Sequence, residues 1–161
     1  MIIKTKIINL YIFIAATLFV SLFITKIAVA NNSLVKYVDT YKNIAKCKST
    51  EYSIPYEVIM GIAIVESGSG RSKVATKLNN HFAIIGNNKV NYNTRYRQYP
   101  NAEASYDHFC IVISKKKFFN ELKGNSNYRL WISKISNSGY SERPLIWNRR
   151  VNNVIEKNII D

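Results

Sequence analysis

Eight consecutive apolar residues, Val58-Ile59-Met60-Gly61-Ile62-Ala63-Ile64-Val65, constrain this chain more than any other feature. Ser53 stands ahead of them as a capping residue, and Pro55 fits a first helical turn, where its missing N–H needs no partner. The segment reads as a helix that is apolar around its whole circumference, so it must lie inside a domain and not on its surface. Ser67-Gly68-Ser69-Gly70 stops it. Glu66 is the first charge after the run.

A carboxylate in that position is costly to ionise. Apolar burial disfavours the anion. The C-terminal end of a helix carries partial negative charge, which repels it. No Lys or Arg lies within the preceding turn. A carboxyl that keeps its proton near neutral pH is what a general acid needs. Raising a Glu from about 4.3 to about 6 costs the ion roughly 2 kcal/mol, a modest demand on burial. The competing assignment is a structural ion pair between Glu66 and Arg71.

The rest of the chain is mostly helical. Leu34, Val38, Tyr41 and Ala45 recur at helical spacing and predict a helix over 33–50. A short helix follows from Ser72 to Leu78. Asn79 to Gln98 has no helical period. It contains the turn signal Gly86-Asn87-Asn88 and the alternating stretch Val90 to Tyr99, which predict a small hairpin. Pro100-Asn101 caps a helix from Ala102 to about Phe119. Further helices are expected over 128–137 and 145–159. The fold class is α+β, mainly α, with one small β-element.

Residues 1–30 read as a leader. Lys4 and Lys6 precede the uncharged run Ile7 to Ile24, and Ala28-Val29-Ala30 forms an A-x-A cleavage pattern. Without cleavage, residues 7–24 would be an N-terminal membrane anchor at the short limit of a span. Either reading exports residues 31–161, to the periplasm or beyond the cell. The chain of 161 residues has 23 Lys and Arg against 10 Asp and Glu, and its net charge of +13 becomes +10 once the three leader lysines are removed. Such a cation suits an anionic partner, and export disfavours nucleic acid. A monomer is expected.

Other chemistries lack their residues. The glycines form no nucleotide-binding loop. His81 and His108 have no partners at metal spacing, so no metal or other cofactor is expected. No Ser-His-Asp or Cys-His arrangement has sequence context. Cys47 and Cys110 either pair in an oxidising compartment or remain as two buried thiols.

Five segments in order carry a resemblance. They are Ile54-Pro55 through Glu66-Ser67-Gly68-Ser69-Gly70, then Asn79-Asn80-His81-Phe82, Tyr96-Arg97-Gln98-Tyr99, Glu103-Ala104-Ser105-Tyr106 and Gly139-Tyr140. Together they resemble the bacterial endo-β-N-acetylglucosaminidases of the flagellar-muramidase and autolysin type, glycoside hydrolase family 73. The resemblance spans residues 36–160. It implies a lysozyme-like, mainly helical fold with a β-hairpin lobe over a cleft. It also implies cleavage of peptidoglycan between N-acetylglucosamine and N-acetylmuramic acid. Carried onto this chain, Glu66 is the catalytic acid and Tyr140 the cleft tyrosine that steadies substrate or water. Asn80 and Phe82 fall on the cleft wall. Tyr96 and Tyr99, with Tyr92, Arg95 and Arg97, line the hairpin and suit sugar rings and carboxylates.

The departures from the family pattern are specific. Many relatives place a second carboxylate in the hairpin, yet 82–101 contains no Asp or Glu. Ala83 stands where a glycine is usual, and Ser141-Glu142-Arg143-Pro144 replaces the usual Ala-Thr-x-Pro. Water could be held by Tyr140, the substrate N-acetyl group could attack, or a 1,6-anhydro ring could close. The alternative to an enzyme is a non-catalytic wall-binding or assembly protein on a degenerate glucosaminidase fold.

Overall fold

The computed structural model describes the backbone of residues 2–90 and 94–160, and their side chains except at 2–13, 15, 22, 23 and 26–31. The chain forms two compact units, Met1–Lys36 and Tyr37–Asp161. The first helix, α1, is Ile2–Tyr52. In the first unit, Ile14, Leu18, Phe19, Val20 and Ile24 are exposed apolar side chains. Among the described residues, no helix is long and apolar enough to cross a membrane. The side chains of Ala28-Val29-Ala30 and much of the 7–24 run lie outside the described residues.

The second unit is built around α2, Tyr56–Ser67. Every residue from Val58 to Val65 is buried, as the apolar run requires. Pro55, not Ser53, occupies the N-cap position, and no side chain caps the helix. Ser53 instead takes a left-handed turn with φ 55°. Gly68 ends α2 at φ 59°, the conformation for which glycine has no Cβ penalty. A Cβ on Gly70 would stand 2.8 Å from the Tyr37 ring, so the Gly68–Gly70 turn also lets α1 pack close.

Helix α3, Lys73–Leu78, is capped by Ser72, which accepts from the Ala75 N–H. Asn101 does the same for α4, Ala102–Ser114. Helix α4 stops at Ser114 and does not reach Phe119, because a separate turn of helix, α5, begins there at Phe119–Leu122. Helix α6, Tyr128–Ile135, runs into a π-helical turn, Ser136–Tyr140, broken at Gly139. Helix α7, Pro144–Asn158, completes the unit and turns Trp147, Val151 and Ile155 inward. Its heaviest packing is against α2.

The expected β-hairpin lobe is not formed. Among the described residues there is no strand, only an isolated antiparallel bridge between Ile85 and Tyr96. Part of the alternating stretch, including Tyr92, lies outside the described residues. Around the bridge the Gly86 N–H donates to the Arg95 carbonyl, the Arg97 N–H to that of Ile84 and the Gln98 N–H to that of Asn87, and asparagine amides brace this short pairing. Asn80 Nδ2 donates to the Ile84 and Arg97 carbonyls at 2.8 Å each, and its Oδ1 accepts from the Ile84 N–H at 3.1 Å. Asn88 Nδ2 donates to the Thr94 and Tyr96 carbonyls. The described parts of the lobe, 79–90 and 94–101, are therefore irregular, held by these backbone bonds together with asparagine side chains.

The two cysteines are free, Cys47 exposed and Cys110 buried, so no disulfide forms. Burial raises the Cys110 thiol pKa, which makes it inert. Tyr37 hydrogen-bonds His81 Nδ1 at 2.8 Å and the Tyr106 hydroxyl at 3.0 Å. Burial lowers His81 to about 4, so it is a neutral core residue.

Two stability predictions follow from the lobe. Asn80→Ala removes the amide bonds to the Ile84 and Arg97 carbonyls and the acceptor of the Ile84 N–H, while the Ile84 carbonyl keeps the Arg97 N–H, and should cost about 2–4 kcal/mol in chemical denaturation. Ala83 holds φ 52°, so Ala83→Gly should stabilise by about 1 kcal/mol.

Candidate active site

Glu66 sits in the last turn of α2, half-buried, and faces a groove of about 420 Å³. The lobe supplies one wall through Phe82 to Ile85, Arg95 and Tyr96. Val112 of α4 and Lys116 line another part, and Gly139, Tyr140 and Glu142 complete it. A larger hollow of about 580 Å³ lies beside Tyr99 and Pro100, but no carboxylate lines it.

The Glu66 carboxylate accepts a 2.6 Å hydrogen bond from the Trp147 indole N–H. Burial raises its pKa; the indole bond and the charge of Arg150 lower it, and the net shift is upward. The pairing with Arg71 is not formed: Arg71 Nε donates to the Gly68 carbonyl at 3.2 Å. Among the described residues, no ion pair involves Glu66. The carboxyl is thus oriented by a neutral donor and kept closer to its protonated form than an exposed glutamate.

Tyr140 is half-buried, donates its hydroxyl to the Phe82 carbonyl at 3.0 Å, and packs its ring 5.3 Å from that of Trp147. Burial holds its pKa far above the usual value, with the nearby Glu66 charge adding to the effect. It is a neutral phenol that ties the π-helical turn to the lobe. Phe82 reaches the groove while stacking on Phe109, with ring centroids 4.2 Å apart.

The structure places the remaining expected residues unevenly. Tyr96 lines the groove. Asn80 is 1% exposed, and its amide serves the lobe backbone, so it does not face the groove. Tyr99 is also buried away from the groove; its hydroxyl bonds His108 Nδ1 at 2.6 Å. Asp107 is held by Lys48 Nζ at 2.8 Å and by the Tyr52 hydroxyl at 3.0 Å, a structural tie between α1 and α4.

Three residues of the site escape the sequence reading, Lys116 and Glu142 on the groove and Trp147 bonded to Glu66. Trp147 is signalled only by its inward register with Val151 and Ile155 on α7. Lys116 belongs to a lysine run that looks like a solvated helix face. Because α4 ends at Ser114, its Nζ instead reaches the Ser138 carbonyl at 3.2 Å. Glu142 comes from the segment that departs from the family pattern, and its carboxylate lies 3.8 Å from Arg95 across the groove. No group of His, Cys, Asp and Glu among the described residues could hold a metal ion.

Comparison with solved structures identifies the architecture. The catalytic domain of the autolysin Auto from Listeria monocytogenes matches with a TM-score of 0.64 at 17% identity, over 77% of this chain and 83% of that one. The glycoside hydrolase domain of FlgJ from Salmonella typhimurium gives 0.60 at 14%, over 77% and 87%. A peptidoglycan hydrolase mutant from Sphingomonas sp. A1 gives 0.62 at 19%, over 76% and 93%. These likenesses carry the mainly helical, lysozyme-like fold. No curated protein sequence matches the chain. The family model for glucosaminidases, described as mannosyl-glycoprotein endo-beta-N-acetylglucosaminidase, matches residues 42–159. That span takes in α2, the lobe, the π-helical turn and α7, and the chain belongs to this family of glycoside hydrolases.

Proposed function

We propose that the protein is a peptidoglycan hydrolase that cleaves the β-1,4 bond between N-acetylglucosamine and N-acetylmuramic acid, with Glu66 as general acid. The observation that carries this reading is the half-buried Glu66 carboxyl, facing the groove and held by an indole N–H with no ion pair. Its proton passes to the glycosidic oxygen as the C1–O bond breaks, and the leaving sugar departs as an alcohol. Arg95 and Lys116 in the walls suit the lactyl and peptide carboxylates of the glycan. The solved structures of an autolysin and a peptidoglycan hydrolase support the choice of substrate. Residues 1–30 direct the enzyme out of the cytoplasm, as a cleaved signal or as an anchor.

The test is digestion of purified sacculi by the full chain. Soluble fragments with reducing N-acetylglucosamine ends are expected. Glu66→Gln, which cannot donate the proton, should lower turnover by at least about 100-fold. Sacculus binding with no product, unchanged by the substitution, would instead identify a wall-binding protein.

The pH dependence has a definite sign. Activity should fall on the alkaline side as Glu66 ionises, at a pH above the usual carboxylate value of 4.5. A carboxyl whose folded pKa is raised contributes stability that is complete below its unfolded pKa and is lost as pH rises through the folded one. Glu66→Gln should therefore melt higher than the wild type at neutral pH, with the gap closing below about 4.5. Trp147→Phe removes the donor that favours the anion. It should move the alkaline limb of the rate profile to higher pH, measured as initial rate on sacculi across a pH series.

A further inference from the structure

We infer that Glu142 supplies the second carboxylate of this active site, acting as the base that activates water. The inference rests on the proposed hydrolase reading and deepens it. The lobe has no acid over residues 82–101, so a water-activating carboxylate must come from elsewhere. Among the described residues lining the groove, the carboxylates are Glu66 and Glu142.

Glu142 is placed by contacts on both sides in sequence. Two residues before it, the Tyr140 hydroxyl is fixed on the Phe82 carbonyl at 3.0 Å. Five residues after it, Trp147 holds Glu66 at 2.6 Å. Between them, the Arg143 N–H donates to Ser141 Oγ and makes a tight bend ahead of Pro144 and α7. The connection is short and pinned at each end, so Glu142 stays on the groove that Glu66 faces. Its side chain is 90% exposed, and Arg95 of the lobe stands 3.8 Å from it. One carboxyl is thus half-buried beside an indole, and the other is in water beside a guanidinium. The two carboxyls thus sit in different surroundings, one shielded and one open to water.

The step balances. Water attacks C1 and forms the new C1–O bond, while Glu142 takes the proton that the water releases. The C1–O bond to the leaving sugar breaks, and that oxygen receives the proton of Glu66. Exchange of one proton with solvent resets both groups. Arg95 is a positioning residue for Glu142.

The experiment measures turnover of sacculi by the full chain carrying Glu142→Gln and Glu142→Ala. Thermal melts verify folding, which an exposed side chain should leave unchanged. Both variants should lose about 100-fold or more in kcat. Sodium azide should restore turnover in Glu142→Ala and give a glycosyl azide product detectable by mass spectrometry, because the small anion attacks C1 without needing a base. A loss below about threefold, or a larger loss that azide does not rescue, overturns the inference. An inactive wild type would overturn the hydrolase reading itself. An active wild type abolished by Glu66→Gln but indifferent to Glu142 would refute this assignment alone.

Discussion

The contact between the Trp147 indole and Glu66 organises the site because it joins the end of α2 to the start of α7. It depends on how closely these helices approach. A Cβ on Gly61 would lie 2.5 Å from Ile155 Cγ1, so only glycine lets α7 settle against α2 at that depth. Trp147 stands two turns before Ile155 on the same buried stripe and therefore reaches the α2 terminus. The donor is neutral, and that matters for the chemistry. A guanidinium in its place would fix the carboxylate as an anion, whereas an indole N–H orients the group and leaves burial as the larger effect.

The second structural device is the bracing of a short backbone pairing by asparagine amides. Asn80 is fully enclosed and binds the backbone on both sides of the lobe. Its position fixes Phe82, whose carbonyl receives the Tyr140 hydroxyl and whose ring stacks on Phe109. The lobe is thereby connected to α4 and to the π-helical turn through one residue. Ala83 adopts a left-handed backbone at the point where the chain turns from Phe82 into the groove wall. A glycine there would hold the same turn without a Cβ clash.

Elements whose determinants are local were legible in the sequence. The apolar octet gave a buried helix, Gly68 ended it and Asn101 capped α4 because each signal acts within one turn, whereas Ser53 does not cap α2. Glu66 was legible for the same reason: burial and helix end are both readable from its neighbours. The hairpin was not, because alternation reports which way side chains point, while strand formation depends on which groups take the backbone bonds. A few backbone bonds join the arms, and Asn80 and Asn88 supply further ones, with partners up to seventeen residues away. Asn80 and Tyr99 were placed on the cleft from their motifs, yet burial turned one to the lobe backbone and the other to His108. Trp147 lies eighty-one residues from Glu66, beyond the reach of any local pattern.

The charge of the chain and the protonation of Glu66 pull in opposite directions, and the groove reconciles them. A strongly cationic surface favours an anionic polymer, but a cation touching Glu66 would strip its proton. Here the groove cations are engaged elsewhere. Lys116 points its ammonium at the Ser138 carbonyl, and Arg95 faces Glu142. The cation that lowers the Glu66 pKa is Arg150, exposed on α7, and its influence is smaller than that of the Trp147 hydrogen bond. Positive charge therefore lies along the walls, where a polyanion would contact it. Glu66 keeps a neutral partner and a raised pKa.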